Sequence, residues 1–287
     1  MKWIVLGGSG FIGSHIVSYF SHKPGSCLSL SSTQCDLMDC SRIRSALAPH
    51  LEGATLIIAA GIPRLKSDDT ETLCRNIRII SNLSKVLETS PPARMIYLST
   101  VEVYGAPVEP ITESTPIQPD TQYGIAKYAC ELILERVRRT TGTPLHTLRL
   151  PGVYGAGDKG RGFIGTLVKS IQQQHRFTLH GGGSDLRDYL FVGDIPRVIE
   201  ALCRLDGDDG VLNIVSGHSR SIGEIADLVT ERLGPCTLMR QSTNKPPVHM
   251  TFTAERLKKR LPGLQLTPLE QGTDDYAVAP SDGLERS

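Results

Sequence analysis

The chain has 287 residues, enough to bury a sizeable core, and a formal net charge of +1 with no basic run or stripe, so nucleic acid is not an expected partner. Its seven cysteines (27, 35, 40, 74, 130, 203 and 236) are odd in number and lack a C-x-x-C pair, which suits reduced thiols in a cytoplasmic protein and argues against a disulfide framework or a metal site. The opening apolar run Trp3 to Leu6 is too short for a signal peptide, and no stretch approaches the roughly 20 apolar residues of a membrane span, so no membrane is expected.

Lys2 to Leu6 reads as a short buried strand and Ser14 to Phe20 as an apolar helix. Between them lies Gly7-Gly8-Ser9-Gly10-Phe11-Ile12-Gly13, with Gly7, Gly10 and Gly13 in G-x-x-G-x-x-G spacing. A Gly-rich turn from strand to helix lets backbone approach a pyrophosphate at the positive helix end. Glycine clusters also make ordinary turns; the position at the first strand–helix junction favours a dinucleotide. Cys27 to Ser31 is the expected second strand, and it ends in Leu30-Ser31-Ser32-Thr33 without the carboxylate that would take the ribose hydroxyls of NAD. No arginine stands there for a 2′-phosphate either, so for a dinucleotide at this turn both NAD and NADP stay open. Asp36-Leu37-Met38-Asp39 leads into the next helix, with Asp39 as N-cap.

Thr55 to Ala60 is a further strand ending Ala59-Ala60-Gly61, where small residues let a cofactor lie against the backbone. Asp68 to Glu88 is helical and carries Asn76 and Asn82. Arg94 to Thr100 is a strand that runs into Val101-Glu102-Val103-Tyr104-Gly105. The helix that follows holds Tyr123-Gly124-Ile125-Ala126-Lys127 and extends to about Arg139. Tyr123 and Lys127 share a face one turn apart. A cation near a phenol favours the phenolate, and a phenol so tuned can exchange a proton with an alcohol or carbonyl. By itself a Tyr-x-x-x-Lys is an ordinary solvated face; beside a dinucleotide turn and Thr100 it reads as a proton-transfer set.

Leu145 to Leu150 is the next strand, followed by Pro151-Gly152-Val153-Tyr154-Gly155. Alternating strands and helices predict an α/β fold with a doubly wound parallel sheet, with ligands at the carboxyl ends of the strands. Beyond residue 155 the pattern loosens. The Gly157–Gly165 stretch contains Lys159 and Arg161; Phe163 to His175 reads as a helix; and Arg187-Asp188-Tyr189-Leu190-Phe191-Val192-Gly193-Asp194 precedes another, Ile195 to Arg204, for which Asp194 is the expected cap. Val211 to Val215 is a strand, and Ser221 to Leu233 a helix that begins with a capping box. Residues 274–287 read as a frayed tail.

The words GGSGFIGSH, CDLMD, STVEVYG, YGIAK, LRLPGVYG and RDYLFVGD, in this order and over roughly residues 1 to 230, resemble the extended short-chain dehydrogenases/reductases of the nucleotide-sugar epimerase, dehydratase and ketoreductase group. The resemblance implies a Rossmann-type dinucleotide-binding domain over residues 1–155. It also implies a smaller, interleaved substrate-binding part over 156–273, with some segments returning to the sheet. Gly7, Gly10 and Gly13 would line the pyrophosphate, Asp36 and Leu37 the adenine, and Phe11, Ile12, Ala59 and Ala60 would also line the cofactor. Thr100 would hydrogen-bond the reacting oxygen, Tyr123 would be the acid/base, and Lys127 would bind the nicotinamide ribose and lower the Tyr123 pKa. Arg187 would meet the diphosphate of a nucleotide-sugar substrate, with Glu102 also in the substrate site. A cytoplasmic homodimer is the expected assembly.

Several positions depart from the group. Gly152 stands where it usually has Asn, Ile79-Ile80 replace Gly-Thr, and Val101-Glu102 replace the Asp-Glu of true 4,6-dehydratases. The short second-strand region resembles compact ketoreductases, which often use NADPH. The expected chemistry is hydride and proton transfer at C4 of a nucleotide hexose, by a 4-epimerase or 4-ketoreductase. A catalytically silent cofactor sensor would not need Thr100, Tyr123 and Lys127 together, and Arg187 argues against a reductase of lipid-like substrates.

Overall fold

The computed structural model describes residues 1–106, 110–160, 162–173, 176–208, 210–244 and 246–278, the side chains of 277 and 278 excepted. Arg161, His175 and positions 279–287, on which parts of the sequence reading fell, lie outside them.

Six parallel strands form the centre: β1 (Lys2–Leu6), β2 (Ser26–Leu30), β3 (Ala54–Ile58), β4 (Arg94–Thr100), β5 (Leu145–Leu150) and, after four short strands, β10 (Gly210–Asn213). Their order is β10-β5-β4-β3-β1-β2. Successive side chains of a strand face opposite ways, and the sheet shows it. Trp3, Val5, Ile57, Ile96 and Leu98 join one core, where α1 (Phe11–Ser21) supplies Ile16 and Phe20 and α6 (Asp194–Cys203) supplies Val198, Ile199 and Leu202. Ile4, Leu6, Leu56, Ile58, Met95 and Tyr97 join the other. There α2 (Cys40–Leu51), α3 (Thr70–Leu87) and α4 (Gln122–Thr141) bring Ile43, Leu47, Ile80, Leu83, Cys130 and Leu134. Each such aliphatic side chain contributes about 1.5–3 kcal/mol on burial, so apolar runs of five residues specify a strand covered on both faces.

Register sets the site. Leu6 pairs with Leu30 and with Ile58, and Thr100 pairs with Leu150. The carboxyl ends of β1, β2 and β3 therefore lie level, while β4 and β5 end together but further on, since Ile58 pairs with Tyr97 and β4 continues to Thr100. In a parallel sheet the turns after Leu6, Ile58, Thr100 and Leu150 all open onto one edge.

A second, smaller apolar core is built by α5 (Phe163–Gln172) and α7 (Ile222–Leu233), with Ile164, Leu167, Val168, Ile225 and Val229 buried together with Tyr154. The short strands β6 (Gly152–Tyr154) and β9 (Tyr189–Phe191) pair in parallel, as do β7 (Arg176–His180) and β12 (Thr237–Gln241); β8 (Leu186–Arg187) and β11 (Arg220–Ser221) pair antiparallel. Ser221 caps α7 with the reciprocal Glu224 bond that S-x-x-E predicts, and Asp39 caps α2.

Three expectations are corrected. Helix α5 ends at Gln172, and β7 begins at Arg176. Asp194 is the first residue of α6 rather than its cap; its carboxylate instead accepts from the Thr267 amide and hydroxyl and pairs with Arg197. Residues 274–278 belong to α9 (Leu269–Val278), which follows the short α8 (Glu255–Arg260). Over residues 274–278 the tail reading does not hold, because α9 is held by tertiary partners: Arg232 pairs with Asp274, and the Tyr276 hydroxyl donates to Asp158 at 3.0 Å. Among the described residues no helix is long and apolar enough to cross a membrane, and no group of side chains could hold a metal ion.

Candidate active site

The turn after β1 is shaped for close approach. Gly7 has φ 84°, a region open to glycine, and a Cβ there would sit 2.8 Å from Ala60 Cα. A Cβ on Gly13 would sit 2.1 Å from the Gly7 carbonyl oxygen. Gly10 occupies the N-cap of α1 without any side-chain capping bond, so the first amides of α1 are left to a ligand. This is the form that accepts a dinucleotide pyrophosphate, with Gly7 packed on the backbone of Ala59 and Ala60.

A cavity of about 400 Å³ opens from this turn. Gly10, Phe11, Ile12, Gly13, Ala59, Ala60, Thr100, Glu102, Tyr123 and Lys127 all line it. Gly7 lies behind its wall. Asp36 and Leu37 are apart from it: the Asp36 carboxylate accepts from the Met38 amide at 2.9 Å, and the Leu37 carbonyl accepts from Asn82 at 3.2 Å. Arg187 is elsewhere too. Its guanidinium donates to the Leu186 and Val248 carbonyls at 2.8 and 2.5 Å and lines a neighbouring cavity of about 340 Å³. Tyr189 borders both cavities.

Thr100 ends β4, and its hydroxyl oxygen accepts from the Glu102 amide at 3.2 Å. That leaves the hydroxyl proton for a ligand oxygen. Tyr123 stands in the first turn of α4, whose N-cap Thr121 accepts from the Gly124 amide. Lys127 is buried, donates to the Leu98 carbonyl at 2.5 Å, and lies 4.2 Å from the Tyr97 ring centroid. Burial lowers its pKa to about 8, against the raising effect of Cys130 and Glu131. The expected lowering of the Tyr123 pKa by Lys127 is not found. Burial, and then Glu102 and Cys130, push the Tyr123 phenol up. Tyr123 is thus a protonated phenol, ready to donate.

Several residues passed over in the sequence hold this geometry. Asn76, buried on α3, receives the Ile62 amide at 2.8 Å and donates to its carbonyl at 3.0 Å, which fixes the loop after β3. Polar Asn inside a helix is costly unless its side chain is bonded, and that signal marks both Asn76 and Asn82. Glu131 lies four residues after Lys127. It accepts from Ser99 Oγ at 2.5 Å and from Arg149 Nε and Nη2 at 3.1 and 2.6 Å. Arg149 also donates to the Tyr104 hydroxyl, which donates to Asn213. This buried network, complete except for Asn213 Nδ2, which has no partner among the described residues, braces β4 and β5 behind Thr100.

Residues 3–214 match the model of the NAD dependent epimerase/dehydratase family. The chain belongs to that family. The UDP-glucose 4-epimerase of Lactobacillus helveticus is 26% identical over 264 residues, which span 79% of this chain and 80% of that protein. The GDP-6-deoxy-D-mannose reductase of Pseudomonas aeruginosa is 28% identical over 246 residues, 80% and 79% of the two chains. In fold the chain is similar to the UDP-glucose 4-epimerase of Thermotoga maritima, with a TM-score of 0.86 and 22% identity over 96% of this chain and 97% of the other. With membership of this NAD dependent epimerase/dehydratase family comes a dinucleotide cofactor, NAD or NADP, and the turn around Gly7, Gly10 and Gly13 fits it.

Two family departures have a structural reading. A Cβ on Gly152 would sit 2.6 Å from the Tyr189 ring, so the ring fills the space an Asn side chain would need. Ile80, at the family's Gly-Thr pair, is buried in the core and lines the cavity.

Proposed function

We propose that this protein oxidises and reduces C4 of a nucleotide-activated hexose, as a 4-epimerase. The observation that carries the reading is the convergence of Thr100, Tyr123 and Lys127 on the one cavity that begins at the dinucleotide turn. The bound nicotinamide supplies hydride transfer. Thr100 holds the sugar oxygen. Tyr123 gives a proton to that oxygen on reduction and takes it on oxidation. Lys127 holds the cofactor ribose. Arg187 is the proposed diphosphate contact, because its cavity adjoins the catalytic one across Tyr189. On this reading residues 1–155 serve mainly the cofactor and 156–273 mainly the substrate. The acid for 4,6-dehydration has no agent, since Val101 is apolar and only Glu102 remains.

A second reading is a 4-ketoreductase. The end of β2 favours it: Ser31 Oγ bonds Thr33 and Gln34, and no carboxylate stands there against a 2′-phosphate. A reductase releases its cofactor each turnover, whereas an epimerase retains it. Incubation of the purified protein with a UDP-hexose and no added cofactor separates the two. Inversion at C4 supports the epimerase. Dependence on added NAD(P)H with a 4-keto sugar supports the reductase, and a 4-keto-6-deoxy product from an ordinary hexose would show that dehydration was wrongly excluded.

A further inference from the structure

The loop between β3 and α3, residues 59–69, crosses from the cofactor turn to the start of the helix that carries Tyr123. Two of its side chains reach over. Asp68 Oδ1 accepts from the Tyr123 amide at 2.8 Å, and Arg64 Nη1 pairs with Glu102 Oε2 at 2.8 Å. Arg64 Nε also lies 3.5 Å from Asp68 Oδ2, so one guanidinium joins the two carboxylates. Thr121, the cap of α4, donates to the same Glu102 oxygen at 3.3 Å. The loop itself is fixed by Asn76 through both polar atoms of the Ile62 backbone. Arg64 and Glu102 both line the catalytic cavity.

We propose that Arg64 and Asp68 are positioning residues for Tyr123, Asp68 by fixing its amide and Arg64 by offsetting the Glu102 carboxylate beside it. The inference rests on Tyr123 being the acid/base. An unpaired amide in the first helical turn otherwise takes water, and the turn frays. Asp68 ties that amide to the loop over the cofactor cavity, so the phenol and the cofactor site share one frame. Displacement of a reacting group by about 1 Å can cost roughly a hundredfold in rate.

The groups facing Tyr123 are Glu102 from the end of β4, Tyr97 from β4 itself, Cys130 and Lys127 from α4, and Arg64 and Asp68 from the loop. Among them Glu102 opposes a phenolate directly, and Arg64 is the cation paired to it. Without Arg64 the carboxylate keeps only the Thr121 hydroxyl and no cation, and Tyr123 holds its proton more tightly. The limb of the rate profile that rises with pH then moves to higher pH.

The test is the pH dependence of kcat/KM for a nucleotide hexose in four variants, with the dissociation constant for the cofactor measured alongside. Arg64→Met is expected to move the rising limb upward by about one pH unit, a roughly tenfold loss at fixed pH below it. Adding Glu102→Gln to Arg64→Met is expected to bring the limb back. Asp68→Ala is expected to lower kcat by roughly tenfold to a hundredfold with the cofactor constant held. Asp68→Asn, which keeps the acceptor oxygen, recovers most of that loss. A limb that stays in place in Arg64→Met, or one that the second substitution does not return, overturns the charge role. Asp68→Asn no better than Asp68→Ala overturns the anchoring role. Tyr123→Phe run beside them tells the failures apart: if it turns over normally the acid/base reading falls, whereas if it is dead and the limb is fixed only the clasp falls.

Discussion

Lys127 is held in its charged form at a cost, and the cost has a pH window. Its pKa in the folded chain is about 8, below the usual lysine value of 10.5, chiefly because it is buried. Below about pH 8 both folded and unfolded chains carry the proton and the penalty is constant. As pH rises from about 8 towards 10.5 the folded chain loses the proton first, the unfolded chain binds more, and stability rises. Lys127→Met removes the buried charge, so it is expected to raise the melting temperature of the cofactor-free protein near neutral pH and to lose that advantage at alkaline pH. Calorimetry at the two pH values checks it, and an advantage that grows with pH would contradict it. Lys127→Met should at the same time weaken cofactor binding, which makes the residue one where function is maintained against stability. Arg187→Ala is argued differently. A diphosphate contact is present in ground and transition states alike, so KM should rise while kcat falls less. Steady-state kinetics check this, and equal losses in substrate and cofactor affinity would point to its bonds to Leu186 and Val248 as structural.

Among the elements, the dinucleotide turn and the β4–α4 unit carry the site. Gly13→Ala would force a Cβ within 2.1 Å of the Gly7 carbonyl, so the turn must open. Loss of measurable cofactor binding in a folded variant is the expected result of an equilibrium titration. Behind Thr100, Glu131→Ala would leave Arg149 buried and unpaired, a defect that costs about 3–5 kcal/mol. Denaturant unfolding measures it, and a change within error would mean that the pair does not brace the strands. These elements differ in how far the sequence shows them. The strands at 2–6, 94–100 and 145–150 were legible because an apolar run bounded by turn residues has few other uses, and the capping box at Ser221 marks α7 directly. The placement of Thr100, Tyr123 and Lys127 on one cavity follows from parallel strands whose carboxyl ends share one edge, with α4 entering just after β4. What the sequence hid is long-range. Nothing near Arg64 or Asp68 says that they reach residues 102 and 123, and nothing local says that Tyr189 fills the space beside Gly152. The sign of the Tyr123 shift was misread for the same reason: the motif shows the lysine four residues on but neither the depth of burial nor Glu102.

At the scale of the whole molecule, one edge of a parallel sheet gathers a dinucleotide turn, a proton-transfer set and a cavity bordered by a second, smaller core. At the end of β2, hydroxyl and amide side chains stand where a carboxylate would bind the ribose of NAD. NADP is therefore expected to bind at least as well as NAD in titrations of the cofactor-free protein, and a strong preference for NAD would mean that another residue reads the ribose. The central claim is that Tyr123 moves the proton of the reacting sugar hydroxyl. The most direct measurement is turnover of a UDP-hexose by purified Tyr123→Phe beside the unaltered protein, with cofactor affinity measured on both. The phenyl ring still packs but has no proton to give, so kcat should fall by about 10²–10⁴-fold with cofactor affinity nearly unchanged. Turnover close to that of the unaltered protein would contradict the account.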